Sequence, residues 1–393
     1  MNSHPQQRRT SSERLIFQPG GEPARDVLVT IFLRGGIDGL TALPVLGDKH
    51  LAMARGALAV PDPGGSSATI DLDGTFGLHP ALSPFEDIYR DGKLAIVPAA
   101  GIAFDTMSHF DAMKTLERGG ADPAASTSGW LGRYLTSAPQ AEPSPLRVVA
   151  IDRILPEVLN GTQALALPSI DEYRLDVPAE WSPKFLPLLE RAYRNSDPHI
   201  ARASREIFRL LAQLKTLGST TTNDTTSFPE DTLGQNLQQV SQLIKANLGL
   251  EVATIDMQGW DTHINQEPQI LALMKSLAAG VRAFHDSLGD HWKRVTLLIY
   301  SEFGRRLQVN INKGTDHGRA TTLWVMGGGI RGGKIYGPWP GTQPDQLSTH
   351  GSLRVTTDVR HILAELLERR LGSRQLNLVF PSFEAKFLDL ANS

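Results

Sequence analysis

Unbroken apolar runs, rather than alternating ones, punctuate this chain. The clearest is Val27-Leu28-Val29-Thr30-Ile31-Phe32-Leu33, and comparable runs lie at 94–98, 146–151, 250–255, 295–300 and 322–326. A strand that is apolar on both faces belongs in a sheet covered on both sides. Between these runs the period changes to that of a helix. Over 268–288, Ile270, Leu273, Met274, Leu277, Val281, Phe284 and Leu288 fall on one helical face. Strands alternating with helices predict an α/β fold: a central, mostly parallel sheet with helices on both faces.

The stretch 152–248 reads differently. Helical patterns occupy 183–195, 199–217 and about 232–247, and a Thr/Ser/Asn-rich linker at 218–227 separates the last two. We expect a helical insertion into the α/β core there. The polar residues 1–25 are expected to form a disordered lead, and 26–393 a single domain that includes the insertion. Arg8-Arg9 has the look of a twin-arginine signal, but Thr10-Ser11-Ser12-Glu13-Arg14 follows where an apolar segment would be needed. The expected location is therefore cytoplasmic or leaderless, and no run is long enough to span a membrane.

Composition narrows the chemistry. The chain has 393 residues, no cysteine and a formal net charge of -3. Disulfides, thiolate metal sites and cysteine nucleophiles are excluded, so any metal must sit on His, Asp, Glu or hydroxyl groups. The weak charge, with no basic block, argues against a nucleic-acid partner.

Ligands of open α/β sheets bind beyond the carboxyl ends of the strands, so the residues there carry the functional question. The first strand runs into Gly35-Gly36-Ile37-Asp38-Gly39. The strand at 94–98 precedes Asp105-Thr106-Met107-Ser108-His109-Phe110, and that at 250–255 leads to Gly259-Trp260-Asp261-Thr262-His263. Ser301-Glu302-Phe303-Gly304-Arg305 follows 295–300, and Gly314-Thr315-Asp316-His317-Gly318 precedes 322–326. A single Asp at a strand end is usually a helix cap, and a single His is usually structural. Carboxylates and imidazoles on five matching strand ends are harder to explain that way. Such a set suits Zn²⁺, Mn²⁺ or Mg²⁺, and Ser108 or Thr106 could be a nucleophile activated nearby.

These five motifs, in this order, resemble the domain of unknown function 1501 family over about residues 27–385. That family is placed in the alkaline phosphatase–sulfatase superfamily, so the resemblance implies an alkaline phosphatase-like sandwich and chemistry at a phosphate or sulfate ester. It implies two metal ions, with a Ser or Thr nucleophile. Asp38 matches the superfamily's first Asp. Asp261 and His263 match its Asp-x-x-x-His element loosely, being two residues apart instead of four. Glu302 stands where an Asp-His pair would begin, but Phe303 follows it. Asp316-His317 could supply the missing imidazole.

The expected site therefore has Asp38, Asp261, His263, Glu302, Asp316 and His317 as metal ligands for Zn or Mn, as one or two ions or none. Ser108, with Thr106 as the alternative, attacks, and Arg305 stabilises charge on the ester oxygens. The substrate is a small-molecule or glycan ester. The rival reading is a non-catalytic binding or scaffold member of the same fold. A metal-free hydrolase built on Ser108 and His109 is disfavoured if both lie on a strand, where adjacent side chains point to opposite faces. His109 is then a structural neighbour. His79, His350 and Asp358 are weaker site candidates.

Overall fold

The computed structural model describes residues 26–65, 68–120, 126–140, 143–173, 181–220 and 225–393. The expected N-terminal lead and residues 221–224 of the linker lie outside them. The strands are β1 (Val27–Leu33), β2 (Ile70–Asp71), β3 (Gly77–Leu78), β4 (Leu94–Gly101), β5 (Val148–Ala150), β6 (Leu165–Ala166) and β7 (Val252–Met257). After them come β8 (Val295–Tyr300), β9 (Arg305–Val309), β10 (Thr315–His317), β11 (Thr321–Gly327), β12 (Lys334–Ile335) and β13 (Thr357–Asp358). The helices are α1 (Gly39–Ala42), α2 (Lys49–Arg55), α3 (Pro84–Arg90), α4 (His109–Glu117), α5 (Trp130–Ser137) and α6 (Ser182–Arg194). α7 (Pro198–Thr220), α8 (Thr232–Lys245), α9 (Gln266–Leu288), α10 (Val359–Arg369) and α11 (Leu376–Val379) complete them.

Among the described residues, a nine-stranded sheet runs β12-β4-β11-β8-β1-β7-β5-β6, with β13 also paired to β4. β1 is parallel to both β7 and β8 at its centre. The exception to parallel order is β11, which runs antiparallel between β4 and β8. Because β11 reverses direction twice over, β4 and β8 point the same way as β1 and β7. The carboxyl ends of these four strands thus lie on one edge, and β11 begins at that edge.

Residue alternation along β1 explains the layering. Val27, Val29, Ile31 and Leu33 enter one core with Ile270, Met274, Leu277, Val281 and Phe284 of α9 and Leu237, Val240 and Ile244 of α8. Leu28 and Phe32 enter the other with α4, α5 and α10. Fully burying each such side chain contributes about 1.5–3 kcal/mol, which is why these two-faced runs stay strands despite their mixed flanks. The segment 152–248 is not wholly an added helical unit. β6 extends the sheet edge beside β5, and α8 is a layer helix packed on α9 and β7. α6 and α7 pack on each other, with the Tyr193 and Phe208 rings 6.4 Å apart. No helix among the described residues is long and apolar enough to cross a membrane.

Candidate metal centre

Four segments bring side chains together at the shared strand edge. The stretch after β4 turns at 106–108 and starts α4. Ser108 is the N-cap of that helix, its Oγ 3.4 Å from the Asp111 amide, and the Thr106 hydroxyl accepts from the Ser108 amide at 3.1 Å. His109 is thereby the first residue of a helix and not part of a strand. The loop after β7 carries Asp261 and His263. β8 delivers Glu302, and the β9–β10 hairpin delivers Arg305, Asp316 and His317.

Gly35 lets these segments close on one another. A Cβ there would lie 2.4 Å from the Asp261 amide nitrogen, and its φ of 119° is one that side chains rarely adopt. Gly314 is confined in the same way, since a Cβ there would meet the carbonyl of His263 at 2.2 Å.

Asp261 Oδ1 is the meeting point. His263 Nε2 lies 3.1 Å from it, His317 Nε2 3.2 Å, His109 Nε2 3.3 Å and an Arg305 guanidinium nitrogen 2.7 Å. Each imidazole is held from behind through Nδ1. His109 Nδ1 is 2.8 Å from Glu302 Oε1, His317 Nδ1 is 2.7 Å from the Met107 carbonyl, and His263 Nδ1 is 3.1 Å from Asp316 Oδ1. All three partners only accept, so each Nδ1 carries a proton, and in the neutral ring Nε2 is then the atom free to bind a cation. Backing acceptors of this kind fix the tautomer and aim of metal-binding histidines.

Two contacts test whether these residues fit a cation. His263 Nε2 and His317 Nε2 stand 2.8 Å apart, lone pair against lone pair, a contact that a shared cation or an added proton relieves. His109 Nε2 is buried and makes no hydrogen bond among the described residues, its 3.3 Å approach to Asp261 falling outside hydrogen-bond geometry. Donors around a four-coordinate ion with bonds of about 2.0–2.1 Å stand about 3.3 Å apart, close to the 2.8–3.3 Å separations here. His109, Asp261 and His317 form a group that could hold a metal ion, and His263 stands beside it, its Nε2 2.8 Å from that of His317.

The electrostatics agree with this division of labour. Burial raises the Asp261 carboxyl, but the hydrogen bond and charge of Arg305 outweigh it and hold the group at about 2. The hydrogen bond that His109 donates to Glu302 raises its pKa above the ordinary imidazole value, whereas burial lowers that of His317. The hydrogen bond from Asn310 lowers Asp316. Asp261 is 47% exposed at its side chain, so the centre opens to solvent. Phe303, standing where a histidine was sought, packs its ring 4.8 Å from that of His109 and 4.9 Å from that of His317.

The expected ligands divide into three groups. Asp261, His263 and His317 converge. Glu302 and Asp316 sit one shell out: Glu302 is fully buried and also accepts from the Gly35 amide at 2.8 Å. Asp38 stands apart. Its carboxylate is clamped by both Arg55 terminal nitrogens, caps α1, and accepts from Gln266 Nε2 at 2.6 Å. With both oxygens engaged by a guanidinium, it has no lone pair left to offer a metal at this centre. Burial alone would raise its carboxyl, yet Arg55 lowers it below the usual range.

Arg305 also departs from expectation. Fully buried, it donates to the carbonyls of Gly35, Gly36, Trp260 and Thr315 as well as to Asp261, so it knits the loops instead of facing a substrate. The Ser108 and Thr106 hydroxyls serve the α4 turn, one and three residues before His109. Asp358 caps α10, His79 caps the turn at 80–82, and His350 is exposed.

Sequence reasoning missed three contributors. His109 was legible: Ser108-x-x-Asp111 is a helix-start pattern, which moves His109 off a strand. Arg55 and Gln266 gave no local signal. Gln266, fully buried, joins Asp38 to the Thr262 and Thr315 hydroxyls at 3.1 and 2.6 Å.

Fold and site together define an α/β protein with a histidine–carboxylate centre at the carboxyl edge of its sheet. The chain belongs to the family described as protein of unknown function (DUF1501), whose model matches residues 103–375. No curated protein matches the sequence. Among solved structures, the chain is similar to the PsFucS1 sulfatase of Pseudoalteromonas sp. at 11% identity and TM-score 0.41, over 94% of this chain and 74% of that one. It is similar to a phosphonate monoester hydrolase of Agrobacterium radiobacter at 8% identity and TM-score 0.38, over 92% and 79%. A third is the C-terminal periplasmic domain of EcEptC from Escherichia coli in complex with Zn, at 8% identity and TM-score 0.33, over 78% and 73%.

Proposed function

We propose that this protein is a metal-dependent hydrolase or transferase acting on a phosphate or sulfate ester. One observation carries the reading: three imidazole Nε2 atoms meet at one carboxylate oxygen while each Nδ1 is bound from behind. His109, Asp261 and His317 would hold a single divalent ion, with His263 beside them, and Zn or Mn is the best match to an imidazole-rich donor set. When bound, such an ion polarises an ester oxygen and lowers the pKa of an attacking hydroxyl.

The chain's own groups do the rest. Arg305 and Glu302 hold Asp261 and His109 in place from buried positions. Phe303 backs two of the rings and keeps water from behind them. Ser108 is the nucleophile of choice, because its hydroxyl is half-exposed at the start of α4 beside His109, and its long capping bond leaves the hydroxyl proton free to leave. The ester class rests on the motif resemblance set out from the sequence.

Elemental analysis of protein purified without chelators tests the metal centre. Near-stoichiometric Zn or Mn is expected in the wild type and little in His109→Gln, with both proteins folded. Full metal retention by His109→Gln would defeat the ligand set, and a wild type that takes up no metal even after supplementation would favour the scaffold reading.

A further inference from the structure

Arg306, beside the proposed centre, has no carboxylate partner among the described residues. Along β9 successive side chains point to opposite faces, so while Arg305 turns into the buried nest of carbonyls, Arg306 turns the other way. Its Nε donates to the His317 carbonyl at 3.3 Å, and one terminal nitrogen lies 3.9 Å from the Met107 sulfur. His317 and Met107 are the residues that build one side of the centre, and Arg306 is near enough to Asp316 to help lower its carboxyl. Yet among the described residues no carboxylate lies within ion-pairing distance of Arg306.

The neighbouring cations are placed differently. Arg319 is paired with Asp105 at 2.9 Å, Arg34 with Glu117 at 3.1 Å and with Asp256, and Arg55 with Asp38. Arg306 is half-buried and always charged, and among the described residues its side chain donates only to the His317 carbonyl and the Met107 sulfur. A guanidinium left this way presents a planar fork whose geometry matches two oxygens of a tetrahedral oxyanion. Met107, a flexible thioether, is its hydrogen-bond contact at the α4 turn and can swing aside at little cost.

We infer that Arg306 is the anion-binding residue of this centre, and that the substrate presents to it a tetrahedral oxyanion, a phosphoryl or sulfuryl group. The inference rests on the proposed function for its substrate class, but the charge at Arg306 and the metal are separable. The anion would be met on one side by a cation held at His109, Asp261 and His317 and on the other by the fork of Arg306. Removing charge-assisted bonds of this kind costs about 1.5–3 kcal/mol, or roughly tenfold to a hundredfold in affinity.

Calorimetric titration with inorganic phosphate, and separately with inorganic sulfate, tests this on Zn-supplemented wild type, Arg306→Gln and Arg306→Lys, with metal content measured in each. The expected result is weaker anion binding by roughly tenfold to a hundredfold in Arg306→Gln, an intermediate loss in Arg306→Lys, and unchanged metal content. Arg306→Lys keeps the charge and also covers the case that the Gln variant folds poorly. Equal anion affinity in wild type and folded variants overturns the assignment, as does a wild type that binds neither anion. If the wild type retains no metal but its anion binding still falls in Arg306→Gln, the metal reading fails and the Arg306 assignment stands.

Discussion

Glu302→Gln isolates the electrostatic part of the centre from its packing. The carboxylate is fully buried and receives His109 Nδ1 and the Gly35 amide at 2.8 Å each, with Ser301 Oγ 2.9 Å from its other oxygen. Glutamine has the same shape. Its oxygen can accept from His109 and Gly35, and its amide can donate to Ser301 Oγ, which then directs its own proton to the Leu33 carbonyl 2.6 Å away. Every hydrogen bond survives and only the charge is lost. Losing a partner of this kind behind a metal-binding histidine lowers metal affinity about 10–100-fold, or roughly 1.4–2.8 kcal/mol. Glu302→Ala would instead leave two buried donors unsatisfied, at about 1–3 kcal/mol of stability each. Competition with a chromophoric chelator gives the affinity and thermal unfolding gives the stability. The expected pattern is a lower affinity with a nearly unchanged Tm in the Gln variant, and losses in both for Ala. In the metal-free protein, the His109 imidazole, raised mainly by the Glu302 hydrogen bond, should titrate at lower pH in the Gln variant by NMR. Unchanged metal affinity in Glu302→Gln would refute the backing role.

Arg55→Met should destabilise the fold by about 3–5 kcal/mol in urea unfolding, because it strands the buried Asp38 charge, and adding Asp38→Asn should recover part of that loss. Ser108→Ala should cost about 1 kcal/mol of stability through the lost α4 cap, keep its metal, and abolish turnover of an aryl phosphate or sulfate; full turnover would move the attack to Thr106 or to water. His79 is held neutral, mainly by burial and then by Lys275, with its pKa lowered from 6.5 to about 4. The unfolded chain takes up a proton near 6.5 and the folded one near 4, so this group's contribution is full above 6.5 and is lost as pH falls through that window. Screening of the partly exposed ring leaves roughly 1–2 kcal/mol, and His79→Asn, which can still accept from the Ala81 amide, should flatten stability between pH 6.5 and 4.

The sheet was legible because its strands are covered twice. The runs at 27–33 and 295–300 coincide with β1 and β8, and 322–326 falls inside β11. Direction was not legible, since an apolar run reads the same whether it is paired parallel or antiparallel, and β11 is the antiparallel one. The β9–β10 hairpin was seen only as charged motifs: its strands are short, and polar residues dominate them. At the centre, position after a strand was legible and side-chain partners were not. Asp38 follows a strand and caps a helix, and only the fold shows that Arg55, on another helix, occupies its oxygens. Arg305 and Arg306 are neighbours in the sequence, and the pleat separates them, burying one among carbonyls and leaving the other with no carboxylate partner among the described residues.

Gln266 has a consequence for how the molecule is made. Its one amide touches Asp38 near the start of the chain, Thr262 in the middle and Thr315 far along. None of these contacts can form until β1, the loop after β7 and the β9–β10 hairpin have all docked, and contacts of such long sequence separation are slow to close. The centre is thus completed among the last events of folding. A refolding chain given metal in a stopped-flow experiment should therefore gain its helical signal before it gains the ion, so that metal uptake works as a clock for the final docking step.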